Sequence, residues 1–377
     1  MDKIHLQQDG ETPLVSIVIR TYFRERTLAK TLESIAESNY PKNKIEIVVV
    51  KDLKDQGAKN VVDMFKQKYR EINILLLDLS VNSATKAWNL GIRHSNGNIV
   101  GVTADDVIIH PESIRYAIAI LRADCKVAAV TFPAMFEAPS INAKLHHMKF
   151  IGTLTNNIST VLLLTFYKKK ILEEVGSYRD DMGLPFTIHE DWELGSRLRK
   201  HGYTIIVDGT VVQKHIEALR KNASKTEFDN TPQISIMTKA KQGFTTLRPY
   251  ISTYLRCNYR TFFEVMKSSP LSQQLEYTIY FLMPLIGLGF FTKPLYALIY
   301  LLFVITIIDA YSFIKGYYKV FSPHERLLYP IILLLVRVVR TYLSIIGLIA
   351  KFIRSKAVKA RIEGITVDLS NRREEVC

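Results

Sequence analysis

Cysteine is scarce in this 377-residue chain. Cys125, Cys257 and Cys377 stand far apart, with no CxxC and no metal-type spacing. The pattern fits a reducing compartment and gives no disulfide framework. Glycine-rich phosphate loops are missing too. No GxGxxG follows the first strand and no GxxxxGK(S/T) occurs, so neither dinucleotide nor P-loop chemistry is indicated. Met1 to Thr12 is polar and lacks the apolar core of a signal peptide, so the first half is expected in the cytosol. That half also lacks a charge of one sign. Residues 1–214 hold 28 basic and 25 acidic side chains, which argues against a nucleic-acid surface. Residues 215–377 hold 22 and 11, beside apolar runs. Cytoplasmic loops of membrane proteins carry such an excess, which attracts anionic lipid.

What is present is an alternation of strands and helices. Leu14 to Ile19 reads as a strand. Leu28, Leu32, Ile35 and Ala36 then recur at helical spacing, and Asn39-Tyr40-Pro41 ends that helix. Ile45 to Val50 and Ile72 to Leu77 are the next strands, separated by a helix marked by Val61, Val62, Phe65 and Tyr69. Ala84, Ala87, Trp88 and Gly91 mark a further helix. Ile99 to Val102 is a fourth strand, which stops at the adjacent carboxylates Asp105 and Asp106. Ile114, Ala117, Ile118 and Leu121 face inward from the following helix, and Val127 to Phe132 is a fifth strand. Strands apolar on both faces and alternating with helices predict a parallel sheet covered on two sides. The pattern breaks from Pro133 to Asn157, a segment expected to be long, mobile and able to lie over a site. Thr160 to Phe166 reads as a strand, Lys168 to Val175 as a short helix and Glu190 to His201 as a helix closed by Gly202. Tyr203 to Val207 and Val211-Val212 are short strands ending near His215.

The remainder divides by composition. Residues 216–275 are amphipathic, with Tyr250, Tyr254, Tyr259 and Phe262 interleaved with Arg248, Arg256 and Arg260. Aromatics and cations on one helix fit a membrane interface. Residues 276–355 form the expected membrane region. Two apolar runs within 277–314 make a hairpin, and a spanning helix needs roughly twenty apolar residues. Residues 327–352 are long enough to span but carry Arg337 and Arg340 near the middle, each costing about 3 kcal/mol. With basic residues on both flanks, this third helix is expected to be interfacial or re-entrant. Residues 356–377 are a basic cytosolic tail.

The ordered motifs from residue 14 to about 215 resemble family 2 glycosyltransferases. Val15-Ser16-Ile17-Val18-Ile19-Arg20-Thr21-Tyr22 resembles their opening strand, and Glu46 to Val50 with Asp52 their second strand and acidic turn. Ala87-Trp88-Asn89-Leu90-Gly91 resembles the Ala-Arg-Asn-x-Gly element, and Thr103-Ala104-Asp105-Asp106 stands where the family has its DxD motif. Gly176-Ser177-Tyr178 and Glu190-Asp191-Trp192 resemble the later Gly-Gly-Phe and Glu-Asp elements. The resemblance implies an α/β GT-A fold in residues 1–215. That fold is a mostly parallel, doubly wound sheet with helices on both faces, followed here by C-terminal amphipathic and transmembrane helices.

The resemblance also implies a chemistry. One sugar would pass, with inversion, from a UDP- or GDP-sugar to a lipid-linked or membrane-proximal acceptor at the cytosolic membrane face. Mg²⁺ or Mn²⁺ would act as a Lewis acid on the departing diphosphate. Asp105, with Asp106 and His215, would hold that metal. Thr21, Tyr22, Glu25, Asp52, Asn89, Thr103 and Asp105 would hold the nucleotide sugar. Asp191 would be the general base, with Glu190 beside it, and the dipole of its helix would favour the ionised form. Three residues depart from the family pattern. Thr103 replaces the first DxD acid, although a hydroxyl can still bond a ribose. Lys51 replaces an acid and Arg20 a proline; these cations either bind phosphate or project into solvent. Tryptophan occurs only at positions 88 and 192, so the Gln-x-x-Arg-Trp motif of processive synthases is absent. Two further readings stand beside this one, a polyprenyl-phosphate sugar synthase and a non-catalytic GT-A membrane scaffold.

Overall fold

In the computed structural model the described residues are 12–136, 144, 147–156, 158, 161–180 and 190–216, with isolated positions 278, 282, 295, 299, 300, 302, 303, 306 and 342. The chain divides into two compact units, residues 1–238 with 311–326, and residues 239–310 with 327–377. The expected loop Met182 to Thr187, the amphipathic segment 216–275 beyond residue 216, and nearly all of the membrane region and tail lie outside the described residues. Among the described residues no helix is long and apolar enough to cross a membrane.

The first unit is built on β1 (Val15–Arg20), α1 (Glu25–Ala36), β2 (Ile45–Asp52), α2 (Gln56–Lys68), β3 (Asn73–Leu79), α3 (Ala84–His94) and β4 (Ile99–Ala104). Then follow β5 (Val107–Ile108), α4 (Ser113–Ala123), β6 (Val127–Phe132), β7 (Ala134–Phe136), β8 (Leu154–Thr155) and β9 (Leu164–Lys168). The unit closes with α5 (Lys169–Glu174), α6 (Glu190–Lys200), β10 (Thr204–Asp208) and β11 (Gln213–His215). The main sheet has the order β3-β2-β1-β4-β9-β6-β10-β8, and β5-β11-β7 form a second, small sheet.

The strands β3, β2, β1 and β4 run parallel, as their two-sided apolar faces predict. Along β1 the side chains alternate between two cores. Val15, Ile17 and Ile19 join Leu28, Leu32 and Ile114 on the α1 and α4 side, while Val18 joins Ala87, Leu194 and Leu198 on the α3 and α6 side. Each fully buried Val, Ile or Leu contributes about 1.5–3 kcal/mol, so this double coverage dominates the stability. On the α3 side the approach is close. A Cβ on Gly91 would collide with Val18, so glycine lets the helix lie flat on β1. The end of α6 is set by Gly202, at φ +84°, with Tyr203 N–H donating to the Leu198 carbonyl at 3.1 Å and Gly202 N–H to Arg199 at 3.0 Å.

Two expectations change. The strand placed at Thr160 to Phe166 begins at Leu164, and it runs antiparallel between β4 and β6 rather than extending the parallel set. An apolar strand buried on both faces has the same composition in either direction, so its sense is invisible in the pattern. The segment from Pro133 to Asn157 is not simply irregular cover. It gives β7 to the small sheet and β8 to the far edge of the main one.

Candidate active site

The chain winds from β1 outward to β2 and β3, then returns to place β4 on the other side of β1. Loops leaving β1 and β4 therefore diverge at their carboxyl ends, where Arg20 lies opposite Ala104. Ligands of open α/β sheets bind in such a crevice. Asp105 and Asp106 occupy the turn between β4 and β5, so the sheet order delivers them to this point.

The carboxylates are enclosed there, Asp105 being 1% and Asp106 3% exposed. Thr21 Oγ1 donates to Asp105 Oδ2 at 2.6 Å. Arg24 Nη1 lies 3.2 Å from Asp105 Oδ1 and 3.4 Å from Asp106 Oδ2. Burial raises the Asp105 pKa, Arg24 opposes that, and Asp106 adds to it. Arg20 is half-buried nearby. Burial pulls its pKa down, while Asp105, Asp106 and Glu190 hold it up and Arg24 opposes them. The charge of Glu190, in the first turn of α6, is thus felt at Arg20.

The small sheet brings in the histidine. β11 pairs antiparallel with β5, setting His215 opposite Val107, and the Ile216 N–H donates to the Asp106 carbonyl at 2.9 Å. His215 Nε2 sits 3.5 Å from Asp106 Oδ2, and its ring stacks on Phe136 at 4.6 Å. The structure therefore brings His215 to Asp106, the chain neighbour of Asp105.

Tyr22 and Asp52 are the residues expected to line a base and ribose pocket. Tyr22 is partly buried, and burial raises its hydroxyl pKa, with Asp52 and then Asp55 adding to the effect. Tyr22 and Asp52 are thus neighbours, as anticipated. Asp52 Oδ1 also accepts the Lys54 N–H at 2.9 Å, which shapes the turn after β2. Lys51 neither reaches phosphate nor projects into solvent. It is 5% exposed, and its Nζ pairs with Asp78 Oδ1 of β3 at 2.8 Å.

The other expected residues are placed differently. Glu25 is exposed in the first turn of α1, with its carboxylate over Gly57 at the start of α2. Thr103 is fully buried. Its hydroxyl has no partner, and it reaches a ribose only if the strand end opens. Its carbonyl accepts Trp88 Nε1–H at 3.1 Å. Asn89 is 6% exposed. Its amide donates to the Tyr178 carbonyl and to Asp180 Oδ1, both at 2.7 Å, and its Oδ1 accepts the Tyr178 N–H at 3.0 Å. Asn89 thereby fastens the 178–180 loop to α3.

Asp191 and Glu190 stand in the acidic first turn of α6 and are half-buried. The Val161 N–H donates to the Asp191 carbonyl at 3.4 Å. Beneath them Tyr178 stacks against Trp88 at 5.0 Å, and its hydroxyl meets that of Tyr167 at 3.0 Å. Burial raises the pKa of Tyr178, and Tyr167, Glu190 and Asp191 raise it further, so the hydroxyl stays protonated below this acidic pair.

Sequence reasoning missed two residues of the site. Arg24 lies in a charged run, Arg20-Thr21-Tyr22-Phe23-Arg24-Glu25-Arg26, that gives no hint which cation turns inward. Asp55 could have been found as a helix cap, because an acid directly before a helical pattern is a standard start signal.

The Mg²⁺ or Mn²⁺ implied by the resemblance can be weighed against this donor set. Both Asp105 oxygens are engaged, by Thr21 and Arg24, and the first DxD acid has become the enclosed Thr103. Among the described residues no group of three or more His, Cys, Asp or Glu side chains is arranged to hold a metal ion. The arrangement is that of a charge-compensated turn and does not fit a divalent cation.

A family model described as "Glycosyltransferase like family 2" matches residues 12–227. A probable glycosyltransferase, YdaM, from Bacillus subtilis (strain 168) is 27% identical over 209 residues, which cover 52% of this chain and 49% of that protein. A poly-beta-1,6-N-acetyl-D-glucosamine synthase of Staphylococcus epidermidis is 26% identical over 213 residues, covering 53% and 48%. The chain thus spans about half the length of these two relatives. Among solved structures, a mannosyltransferase from Pyrobaculum calidifontis in complex with GDP-Man and Mn²⁺ is 17% identical, covers 82% of this chain and 85% of that one, and has a TM-score of 0.47. The sequence match begins just before β1, ends just beyond β11, and encloses the mostly parallel α/β sheet with its acidic turn. The chain belongs to glycosyltransferase-like family 2, and its α/β sheet is GT-A-like.

Proposed function

We propose that this protein is an inverting, non-processive glycosyltransferase working at the cytosolic face of a membrane. It moves one sugar from a UDP- or GDP-sugar to the hydroxyl of a lipid-linked or membrane-proximal acceptor. The observation that carries this reading is the convergence at the carboxyl ends of β1, β2 and β4. Tyr22 and Asp52 suit a base and ribose, Arg24 pairs with the acidic turn, and Arg20 lies within the field of that turn and of Glu190.

In this reading Asp191 removes the proton of the acceptor hydroxyl as that oxygen bonds to the anomeric carbon. The bond from that carbon to the diphosphate oxygen breaks on the opposite side. The nucleoside diphosphate leaves with the electron pair, and the configuration inverts. Cationic groups already aimed at the departing diphosphate lower the barrier without reorganisation. With tryptophan only at 88 and 192, the chain carries no element of the processive type, which supports single transfer.

Membrane attachment is supported by the apolar runs within 276–355 and by their charged flanks. It is also supported by exposed apolar side chains among the described helical residues. Leu295, Ile299, Leu302 and Phe303 follow i, i+4, i+7, i+8 spacing and are 66%, 53%, 54% and 61% exposed. Such a stripe finds apolar cover in a lipid phase.

The test is a panel of nucleotide sugars screened for thermal stabilisation of the purified, detergent-held protein, followed by transfer to extracted lipid acceptors and assignment of the anomeric product. One UDP- or GDP-sugar should raise the midpoint, because ligand bound only to the native state stabilises it by mass action. If no nucleotide sugar shifts the midpoint, the reading fails.

A further inference from the structure

We propose that Arg20 and Arg24 hold the donor's diphosphate directly, so that nucleotide binding and sugar transfer need no divalent cation. This rests on the glycosyltransferase reading above and assigns the charge that the leaving group meets.

The carboxylates at the turn are poorly placed to receive a metal. Asp105 is 1% exposed, with Oδ2 taken by the Thr21 hydroxyl at 2.6 Å and Oδ1 facing Arg24 at 3.2 Å. Asp106 Oδ2 already faces Arg24 at 3.4 Å and His215 at 3.5 Å. A cation entering here must displace a guanidinium from a site nearly closed to water.

Charge points the same way. Arg20 and Arg24 stand against Asp105 and Asp106, with Glu190 adding to the negative field at Arg20. A divalent ion at these carboxylates would meet the repulsion of the guanidinium already paired with them. A diphosphate would add the negative charge that two guanidinium groups attract. The acid missing at position 103 leaves one carboxylate fewer for a metal, and the threonine there is enclosed.

Arg20 is the second, independent observation. It ends β1 at the point where the strand order reverses, within the field of Asp105, Asp106 and Glu190. Among the described residues no hydrogen bond or ion pair holds its guanidinium. A planar fork of N–H donors, half-withdrawn from water and unengaged, matches phosphate oxygens two at a time. The buried acids then serve as counter-ions that fix the direction of Arg24, while Arg20 completes the cradle from β1.

The experiment is calorimetric titration of the full chain in detergent with UDP and with GDP, once in EDTA and once in Mn²⁺, together with Mn²⁺ titrated alone. The expected result is a dissociation constant in EDTA within about threefold of that in Mn²⁺, and no heat from Mn²⁺ alone. Arg20→Gln should weaken binding about tenfold or more in EDTA, and Arg20→Lys, which keeps charge without the fork, should weaken it less. Arg24→Gln strands a buried carboxylate and can unfold the domain, so the Arg20 variants carry the test, with the thermal midpoint as the folding control. Tightening of tenfold or more on adding Mn²⁺ overturns the inference and leaves the glycosyltransferase reading standing, as does unchanged binding by Arg20→Gln. Absence of UDP and GDP binding in every condition overturns both.

Discussion

Replacing Asp55 with alanine isolates what shapes the turn after β1. The Asp55 carboxylate has two engagements. Its Oδ1 accepts the Ala58 N–H at 2.9 Å and caps α2. Its Oδ2 accepts the Phe23 N–H at 2.6 Å. Phe23 has φ +52°, a conformation that costs an L side chain roughly 1–2 kcal/mol. One side chain therefore caps the helix after β2 and clamps the strained turn after β1. Alanine forfeits a cap of about 1 kcal/mol and strips a backbone N–H of a charged acceptor, about 1.5–3 kcal/mol more. The expected loss is about 3 kcal/mol. Urea unfolding followed by fluorescence measures it, because Trp88 and Trp192 both lie in α3 and α6 of this unit. Phe23→Gly placed on top should restore part of the loss, because glycine adopts φ +52° without strain. Tyr22 and Arg24 flank Phe23, so nucleotide affinity should fall in the same variant. A loss below about 0.5 kcal/mol, or no recovery with glycine, refutes the clamp.

Other changes have equally definite outcomes. Asp191→Asn should lower the transfer rate about 10²–10⁴-fold while leaving nucleotide binding intact; unchanged turnover would instead indicate an ionised phosphate acceptor that needs no base. Asn89→Ala removes the fastening of the 178–180 loop, and should cost about 2–3 kcal/mol in urea unfolding. His147 is held neutral by burial, with His215 and Lys149 adding, and its pKa is pulled from 6.5 to about 3. The unfolded chain therefore takes up a proton below about pH 6.5 that the folded chain refuses. Stability contributed by the neutral ring is complete above that pH and falls as pH drops towards 3, by at most about 1.4 kcal/mol per unit. His147→Phe should flatten urea stability between pH 6.5 and 5.

Local order was legible where a periodic pattern sufficed. α1 to α4 fall where Leu28, Val62, Ala87 and Ile114 predicted them, since each has a buried partner every three or four residues. Pairing between distant segments was not. β5 and β11 have two and three residues, too few for any period, yet their pairing carries His215 to Asp106. The direction of β9 is set by its neighbours. Arg24 and Asp105 are 81 positions apart, and only the β1–β4 register makes them adjacent. Whether Lys51 bound phosphate or faced solvent was open in the sequence, and the β2–β3 register sets it opposite Asp78 instead.

These placements sort the three departures from the family pattern. Lys51 is neutralised inside the sheet, and Thr103 is sealed beneath the turn, so neither presents new chemistry to the crevice. Arg20 remains at the strand end, half-buried and within the field of the acidic turn and of Glu190. Had all three stayed at the surface, the site would read as a damaged metal centre. With two withdrawn, the exchange of proline for arginine at position 20 and the loss of acid at position 103 act in the same direction. One adds a cation and the other removes an anion, so both make the turn less negative than the family pattern.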